Sequence, residues 1–286
     1  MLTHDLTNIL ALTWEAMFLL ESAMRRITRK AVIGPIEHEL ELALEEAFFR
    51  QGEMFMSEFK KLKPWFPSEE IKEAWVPTNL SAAEMATLWA LILEGSLSYF
   101  EMPMNAAAVK AMLAGKAAAI AELSWTGSFA LGFDEALLNQ IPSLTKMQLH
   151  SINRTTQNYI NTQIRHAMEE GWSYDRTARA ITDRFEEFAI GKPQLHIQSR
   201  AHLVAVTETG NLYVEANMQT AREIQDMGLP IEKKWATVGD DRVSDGCNAN
   251  AAVGYIPLND PFPSGHMQPL RFPGCRCDIY TRRAKK

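Results

Sequence analysis

The three cysteines of this 286-residue chain, Cys247, Cys275 and Cys277, all lie near its C-terminal end. Three cysteines placed at random in a chain of this length would rarely lie so close together. The clustering therefore indicates a physical cause. Cys275 and Cys277 form a Cys-x-Cys pair, and in an extended segment both sulfurs point to one face because side chains alternate along a strand. Converging thiolates are the soft donors that zinc prefers.

The cysteines therefore predict a structural zinc site. Cys247 and His266 would complete a tetrahedral Cys3His set with the Cys-x-Cys pair, and we expect Cys247 to lie close to that pair. The spacing is not that of a standard zinc finger or ribbon. Two other interpretations stay open: buried free thiols that pack as small apolar side chains, or one disulfide with a third cysteine left unpaired.

Composition and charge argue against several classes of function. The chain is 47% hydrophobic and 22% charged, with a formal net charge of −6, which argues against a protein whose whole surface binds nucleic acid. Acidic residues interrupt the first apolar stretch, so no secretory signal is expected. The most apolar run, residues 85–93, is far shorter than the roughly 20 residues that cross a bilayer. We therefore expect folding in a reducing cytoplasm and no membrane partner.

Apolar residues at spacings of three and four predict amphipathic helices throughout the first half. Ser81 and Glu84 form a capping box that begins one of them. Gly34-Pro35, Pro103 and Pro142 are interpreted as breaks, because proline disrupts helix interiors. The predicted helices span residues 1–33, 36–62, 81–102, 105–123 and 134–140.

The second half begins with a long predicted helix, residues 145–170, that ends at Gly171 in a left-handed cap. Ser173 caps the following helix. A further helix, which carries Glu208, runs to Met227 and stops at Gly228. Residues 231–238 then read as a strand, followed by short strands and irregular loops.

These elements predict an α+β protein that is mostly helical in its N-terminal and central parts and ends in a small β and irregular module. We expect a helical N-terminal domain at 1–142 and a second domain at 143–286. Within the second domain, helices occupy 143–230 and the cysteine-containing module occupies 231–286.

Several motifs in the second half occur in a characteristic order. They are Glu169-Glu-Gly-Trp-Ser173, Ala178-Arg-Ala-Ile181, Thr207-Glu208, Trp235-x-Thr-x2-Asp-Asp-Arg-Val243, Cys247 and Pro273-x-Cys-Arg-Cys277. This order resembles the phage Mu F-like head morphogenesis proteins, which are minor capsid proteins of tailed phages and prophages. The resemblance covers about residues 143–280, and its last fifty residues are the most specific part.

The resemblance implies a non-enzymatic protein, present in few copies, that associates with the portal vertex and acts in head assembly or DNA delivery. Its implied partners are the portal protein and capsid or scaffold proteins. It would be found in the virion, and in the host cytoplasm during assembly. Some relatives are thought to share a core with ADP-ribosyltransferases, and similar domains occur fused to toxins, so an ADP-ribosyltransferase-like enzyme is the alternative. A DNA-binding virion protein is a further alternative.

The sequence departs from the family pattern at three positions. Ser244 stands where the family commonly has the first cysteine of a Cys-x2-Cys pair, and Phe272 stands where it commonly has histidine. Val206 precedes Thr207-Glu208 in place of the usual arginine. Either His266 substitutes for a missing donor or the cluster survives only as core thiols.

Other residues have a structural and a functional interpretation. Asp240, Asp241 and Arg242 would form a catalytic cluster or, as we favour, a turn after the strand. Glu208 in a partly apolar helix would pair with Arg200 or Arg242, or would be the remnant of a transferase glutamate.

The remaining residues are expected mainly to lie in the core or on the surface without a catalytic role. Trp235 is expected to anchor the core. His196 and His202 are expected to be surface or satisfied histidines. The basic tail, 282–286, would be solvated or would contact DNA phosphates.

Overall fold

The computed structural model describes residues 29–66, 82–124, 132–189 and 199–284. Its helices are α1 (Arg29–Phe59), a 3-10 helix (Lys60–Trp65), α2 (Ala82–Glu122), α3 (Gly132–Glu169), α4 (Tyr174–Ala189), α5 (Arg200–Asp226) and α6 (Asp245–Ala252). The strands are β1 (Ile231–Ala236), β2 (Tyr255–Pro257) and β3 (Asp278–Arg283). This α+β composition confirms the predicted fold class. None of the helices in these ranges combines the length and the apolar character that crossing a bilayer requires.

The predicted breaks at the three prolines are wrong. Pro35 lies inside α1, Pro103 inside α2 and Pro142 inside α3. A proline removes one helical hydrogen bond and costs about 3 kcal/mol in an isolated helix. Tertiary burial on both sides of the proline offsets that cost, as at Phe100 and Met104, which are both buried.

The predicted glycine caps are correct. Gly171 and Gly228 have φ values of +63° and +95°, in the left-handed region that favours glycine. Ser173 caps α4 as predicted, because its hydroxyl accepts a hydrogen bond from the Arg176 backbone N–H. The expected helix over 1–28, Ser81 of the capping box, and His196 lie outside the described residues.

The three strands form one antiparallel sheet in the order β2-β1-β3. Side chains of β1 alternate between buried and half-buried, so Ile231, Lys233 and Trp235 face inward. In the register of β1 and β3, Trp235 lies opposite Ile279 and Ala236 lies opposite Asp278. Cys277 immediately precedes β3, so the Cys-x-Cys pair enters the sheet beside the end of β1.

The chain packs into two compact units, and neither ends at residue 142. The first unit takes its described residues from 29–36, 110–124 and 209–284, and the second from 37–66, 82–109, 132–189 and 199–208. The domain boundary at 142 stays a prediction about parts that fold independently.

Each unit has its own core. In the second unit, buried aromatic rings pack together, with Phe55 contacting Phe59, Trp89 and Phe185 at centroid distances of 5.6, 5.1 and 5.8 Å. In the first unit, α2 crosses α5 closely, since a side chain on Gly115 would lie 2.0 Å from the carbonyl oxygen of Tyr213. The cysteine-containing module belongs to this first unit.

Candidate metal centre

The three cysteines come together in a single buried cluster. Their sulfur atoms all lie within 4.8 Å of one another, and the Cys247 and Cys275 sulfurs are 3.9 Å apart. All three are free thiols. The expectation that Cys247 lies close to the Cys-x-Cys pair is confirmed.

Cys247 is positioned by the first turn of α6. Ser244 is the N-cap of this helix, and its side chain accepts a hydrogen bond from the Cys247 backbone N–H at 3.4 Å. The same N–H donates to the Ser244 carbonyl oxygen at 2.9 Å. A serine N-cap satisfies helix N–H groups that would otherwise lack acceptors, so these bonds fix the backbone that carries the Cys247 sulfur.

A tight turn positions Cys275. The Cys275 N–H donates to the carbonyl oxygen of Phe272 at 3.1 Å, which closes a turn over Phe272-Pro-Gly-Cys275. Pro273 stands at the second position of this turn, and Gly274, at the third, has a φ of +79°. Proline followed by a glycine with positive φ is the signature of a type II turn. The turn directs the chain back into β3, so that Cys275 and Cys277 both reach the cluster.

Arg29 secures the Cys-x-Cys segment from the other end of the chain. The Arg29 side chain is buried, and its Nη1 donates to the carbonyl oxygens of Cys277 at 2.8 Å and of Cys275 at 3.4 Å. A side chain on Gly210 would approach the Arg29 guanidinium to 2.1 Å. Because glycine has no side chain, position 210 leaves room for the Arg29 guanidinium.

The inner face of the sheet carries two buried side chains of β1, Trp235 and Lys233. Trp235 is fully buried and packs edge-on against Phe262, with ring centroids 5.1 Å apart. The predicted role of Trp235 as a core anchor is confirmed. Lys233 is also buried, and its Nζ donates to the carbonyl oxygen of Met267 at 2.7 Å. Burial lowers the pKa of Lys233 to about 8.

A hydrogen bond couples two of the thiols. The Cys275 and Cys277 side chains share a hydrogen bond, which lowers the pKa of Cys275 and raises the pKa of Cys277. Without a metal the two sulfurs thus share one proton, as interacting groups do.

The donor set fits a soft divalent metal. Tetrahedral zinc with Zn–S bonds of about 2.3 Å places its sulfur ligands roughly 3.8 Å apart, and the separation of Cys247 and Cys275 matches that distance at 3.9 Å. Cys247, Cys275 and Cys277 would hold the ion. A metal bound there would cross-link α6 to the start of β3 and contribute its binding free energy to folding.

His266 does not belong to the cluster. Within the described residues the group of converging donors consists of the three cysteines alone. The His266 Nδ1 lies 3.0 Å from the Ser264 hydroxyl and 3.1 Å from the Ser264 carbonyl oxygen. Its assignment as the fourth ligand stays a prediction.

Glu208 has a different partner from the arginine we expected. Its side chain bonds to Gln148, and burial raises its pKa to about 7. Arg200 donates to the Thr156 hydroxyl at 2.9 Å and to the Ile152 carbonyl oxygen at 2.7 Å. The expected buried pair of Glu208 with Arg200 is therefore not formed.

Asp240, in the loop after β1, has partners within the fold, and the structural interpretation of Asp240, Asp241 and Arg242 stays a prediction. Asp240 forms an ion pair with Arg276 at 2.7 Å and accepts a hydrogen bond from the Arg242 backbone N–H. The hydrogen bond from Arg276 lowers the pKa of Asp240. Asp241 and Arg242 are both exposed. The loop thus connects to the Cys-x-Cys segment through Arg276, which lies between the two cysteines.

Arg282 and Arg283, the described basic residues of the tail, have partners within the fold, and His202 lies near a carboxylate. His202 Nδ1 is 3.0 Å from the Glu41 carboxylate. Arg282 pairs with Glu232 at 2.7 Å and lies 3.7 Å above the Tyr255 ring. Arg283 donates to the carbonyl oxygens of Leu123 and Ser124.

Sequence reasoning missed two residues that hold the module in place. Arg29 carries no local signal, because its partners are more than 240 positions away. Glu122, at the end of α2, accepts hydrogen bonds from both the N–H and the hydroxyl of Thr281 in β3. Burial raises the pKa of Glu122 to about 8.

Comparison with protein families supports the resemblance read from the motifs. Residues 158–280 match the family described as Phage Mu protein F like protein. The match includes α4, α5, α6 and all three cysteines. Comparisons with curated proteins and with solved structures returned no match.

Proposed function

We propose that the protein is a minor capsid component that acts in head morphogenesis of a tailed phage or prophage, because residues 158–280 match the family described as Phage Mu protein F like protein. The family match is the observation that carries the proposal. In this role the protein associates with the portal vertex in few copies. It is made in the host cytoplasm and remains in the virion.

The surface of the second unit supports a role in binding other proteins. Large apolar side chains are exposed on α1, α2 and α3, and tyrosine and methionine, which are among them, are enriched where proteins contact each other. The exposed apolar side chains are Leu42, Leu91, Leu97, Tyr99, Met102, Met147 and Tyr159. We propose that portal or capsid subunits contact this unit.

The cysteine cluster supports a structural role for zinc in the first unit. The sheet has only three short strands, and much of the module at 231–284 is irregular. A bound ion would stabilise such a module directly. We propose that zinc held by Cys247, Cys275 and Cys277 keeps the module folded in the virion.

The contacts of Glu208 favour a non-enzymatic function. A transferase glutamate must face a substrate cavity, whereas Glu208 bonds to Gln148 and its neighbour Arg200 is engaged with α3. Arg282 and Arg283, two basic residues of the tail, have partners within the fold, and a DNA-binding virion protein remains the further alternative.

Affinity purification of the tagged protein from cells that assemble phage heads tests the proposal. We expect the portal subunit to be recovered with it, and the protein to be detected by mass spectrometry in purified virions. A Met102→Glu, Met147→Glu variant should recover less portal subunit, whereas Met227→Glu, an exposed methionine of the other unit, should recover as much as the unaltered protein. Recovery of no head protein by the unaltered chain would contradict the proposal.

The enzymatic alternative has its own test. The protein and a Glu208→Gln variant are incubated with labelled NAD and host lysate. We expect neither label transfer nor NAD cleavage from either protein. Transfer that depends on Glu208 would replace the assembly role with an ADP-ribosyltransferase activity.

A further inference from the structure

The cysteine cluster opens into a small cavity. It has a volume of about 30 Å³, and all three cysteines line it together with Ser244. A metal ion held by the three sulfurs would take up part of this space, so only a ligand about the size of a water molecule fits beside it. The inference below rests on the metal site proposed above.

The part of the chain that the structure describes supplies too few ligands for a closed site. Structural zinc is almost always four-coordinate, but three sulfurs are the only converging cysteine, histidine or carboxylate donors in the described parts of the chain. His266, the predicted fourth donor, is held by Ser264. Three protein donors leave one position of a four-coordinate zinc site to be filled from another source.

Ser244 borders this open position. It precedes Cys247 by the same spacing as the first cysteine of a Cys-x2-Cys ligand pair, and its hydroxyl lines the cavity beside the three sulfurs. That hydroxyl is fixed by two donors, the Cys247 N–H and Arg271 Nη1 at 3.1 Å. A neutral hydroxyl held in this way is a weak zinc ligand, because zinc prefers thiolate, imidazole and carboxylate.

The cavity is also accessible from solvent. Phe272, which lines it, is exposed. Arg242 and Arg276 line it as well, and Arg276 is paired with Asp240. A small ligand can therefore enter from solvent.

We propose that the fourth coordination position of the metal is open beside Ser244 and is filled by a water-sized ligand with an oxygen or nitrogen donor, not by a protein side chain. Three protein ligands with an exchangeable fourth are the arrangement that distinguishes open zinc sites from closed structural ones. The site is then both a cross-link within the module and a binding site for a small molecule.

X-ray absorption spectroscopy of the zinc-loaded full-length protein tests the proposal. We expect three sulfur neighbours and one oxygen or nitrogen neighbour, without the scattering pattern of an imidazole ring. Ser244→Cys should show four sulfurs and bind zinc at least about tenfold more tightly. Ser244→Ala, the control for loss of the helix cap, should keep three sulfurs.

Two spectra would overturn the proposal. One is an imidazole contribution in the unaltered protein, which would identify histidine as the fourth ligand. The other is a spectrum of the Ser244→Cys variant with only three sulfur neighbours around zinc. It would show that residue 244 does not lie beside the open position. If Ser244→Cys does not fold, His266→Ala replaces it, and its spectrum should equal that of the unaltered protein. Unaltered protein without zinc would refute the metal site itself, while the recovery of portal subunits would still test the assembly role.

Discussion

Arg29 donates a 2.8 Å hydrogen bond to the carbonyl oxygen of Cys277, although 248 positions separate the two residues. The bond brings the first turn of α1 against the segment that carries two of the three thiols. A buried guanidinium needs acceptors for its N–H groups, and the carbonyl oxygens of Cys277 and Cys275 provide two of them. The start of α1 is therefore part of the candidate metal centre.

Replacing Arg29 should weaken the centre. Arg29→Met leaves two buried carbonyl oxygens without their donor, so we expect a loss of about 2–4 kcal/mol in the free energy of unfolding. Chemical denaturation measures the change. Lys30→Met, at the exposed neighbouring position, is the control and should change stability by less than about 0.5 kcal/mol. Equal losses in both variants would contradict the role given to Arg29.

Gly115 should not tolerate a side chain. A Cβ there would lie 2.0 Å from the Tyr213 carbonyl oxygen, so Gly115→Ala must move α2 away from α5. We expect a loss of about 1–3 kcal/mol, measured by thermal or chemical unfolding. In Gly34→Ala the nearest atom would be 3.8 Å away, which is an ordinary contact, so this control should be close to neutral. A neutral Gly115→Ala would show that the helices do not cross so closely.

Glu122 should make stability depend on pH. Its pKa rises from 4.5 in the unfolded chain to about 8 in the folded protein because of burial. The contribution of the protonated form is fully present below about pH 4.5 and is lost as pH rises through about 8. Glu122→Gln cannot ionise, so it should become more stable than the unaltered protein over this range, by at most roughly 5 kcal/mol.

Unfolding free energies at several pH values between 4.5 and 9 measure this difference. Glu94→Gln changes an exposed glutamate of the same helix, and its pH profile should stay parallel to that of the unaltered protein. A parallel profile for Glu122→Gln as well would mean that Glu122 is ionised in the folded state throughout.

Asn250 should matter more than its neighbour Asn248. It is fully buried, donates to the Ser264 hydroxyl at 2.8 Å and accepts from the Ser264 N–H at 3.0 Å. Asn250→Ala leaves that N–H without its acceptor, so we expect a loss of about 1–3 kcal/mol. Asn248→Ala, exposed on the same helix, is the control. If both substitutions are neutral in denaturation experiments, the loop is not held by Asn250.

Local signals in the sequence predicted the features that depend on a few neighbouring residues. Gly171 and Gly228 end helices in the left-handed conformation, and Ser173 caps α4, because these preferences are set within one turn of the chain. The same holds for the strand that begins at Ile231. The prolines misled the prediction, since the cost of Pro103 is local whereas the burial of Phe100 and Met104 depends on the whole fold.

The sequence indicated the metal ligands of the candidate site but not the residues that hold those ligands in place. Soft donors clustered near one end of the chain indicated that Cys247 joins Cys275 and Cys277, and their sulfurs do converge. His266 was predicted to complete a Cys3His set, whereas its Nδ1 lies 3.0 Å from the Ser264 hydroxyl. Nothing near Arg29 in the sequence indicates a partner 248 positions away, because such pairs are created by tertiary packing.

The metal content of the purified protein, measured by elemental analysis, tests the central claim most directly. The three converging thiols should retain about one zinc ion per chain, and a Cys275→Ser, Cys277→Ser variant should retain almost none. Chelation of the unaltered protein should lower its unfolding temperature to that of the variant. Unaltered protein that contains no metal, or that unfolds at the same temperature with and without chelator, would contradict the account.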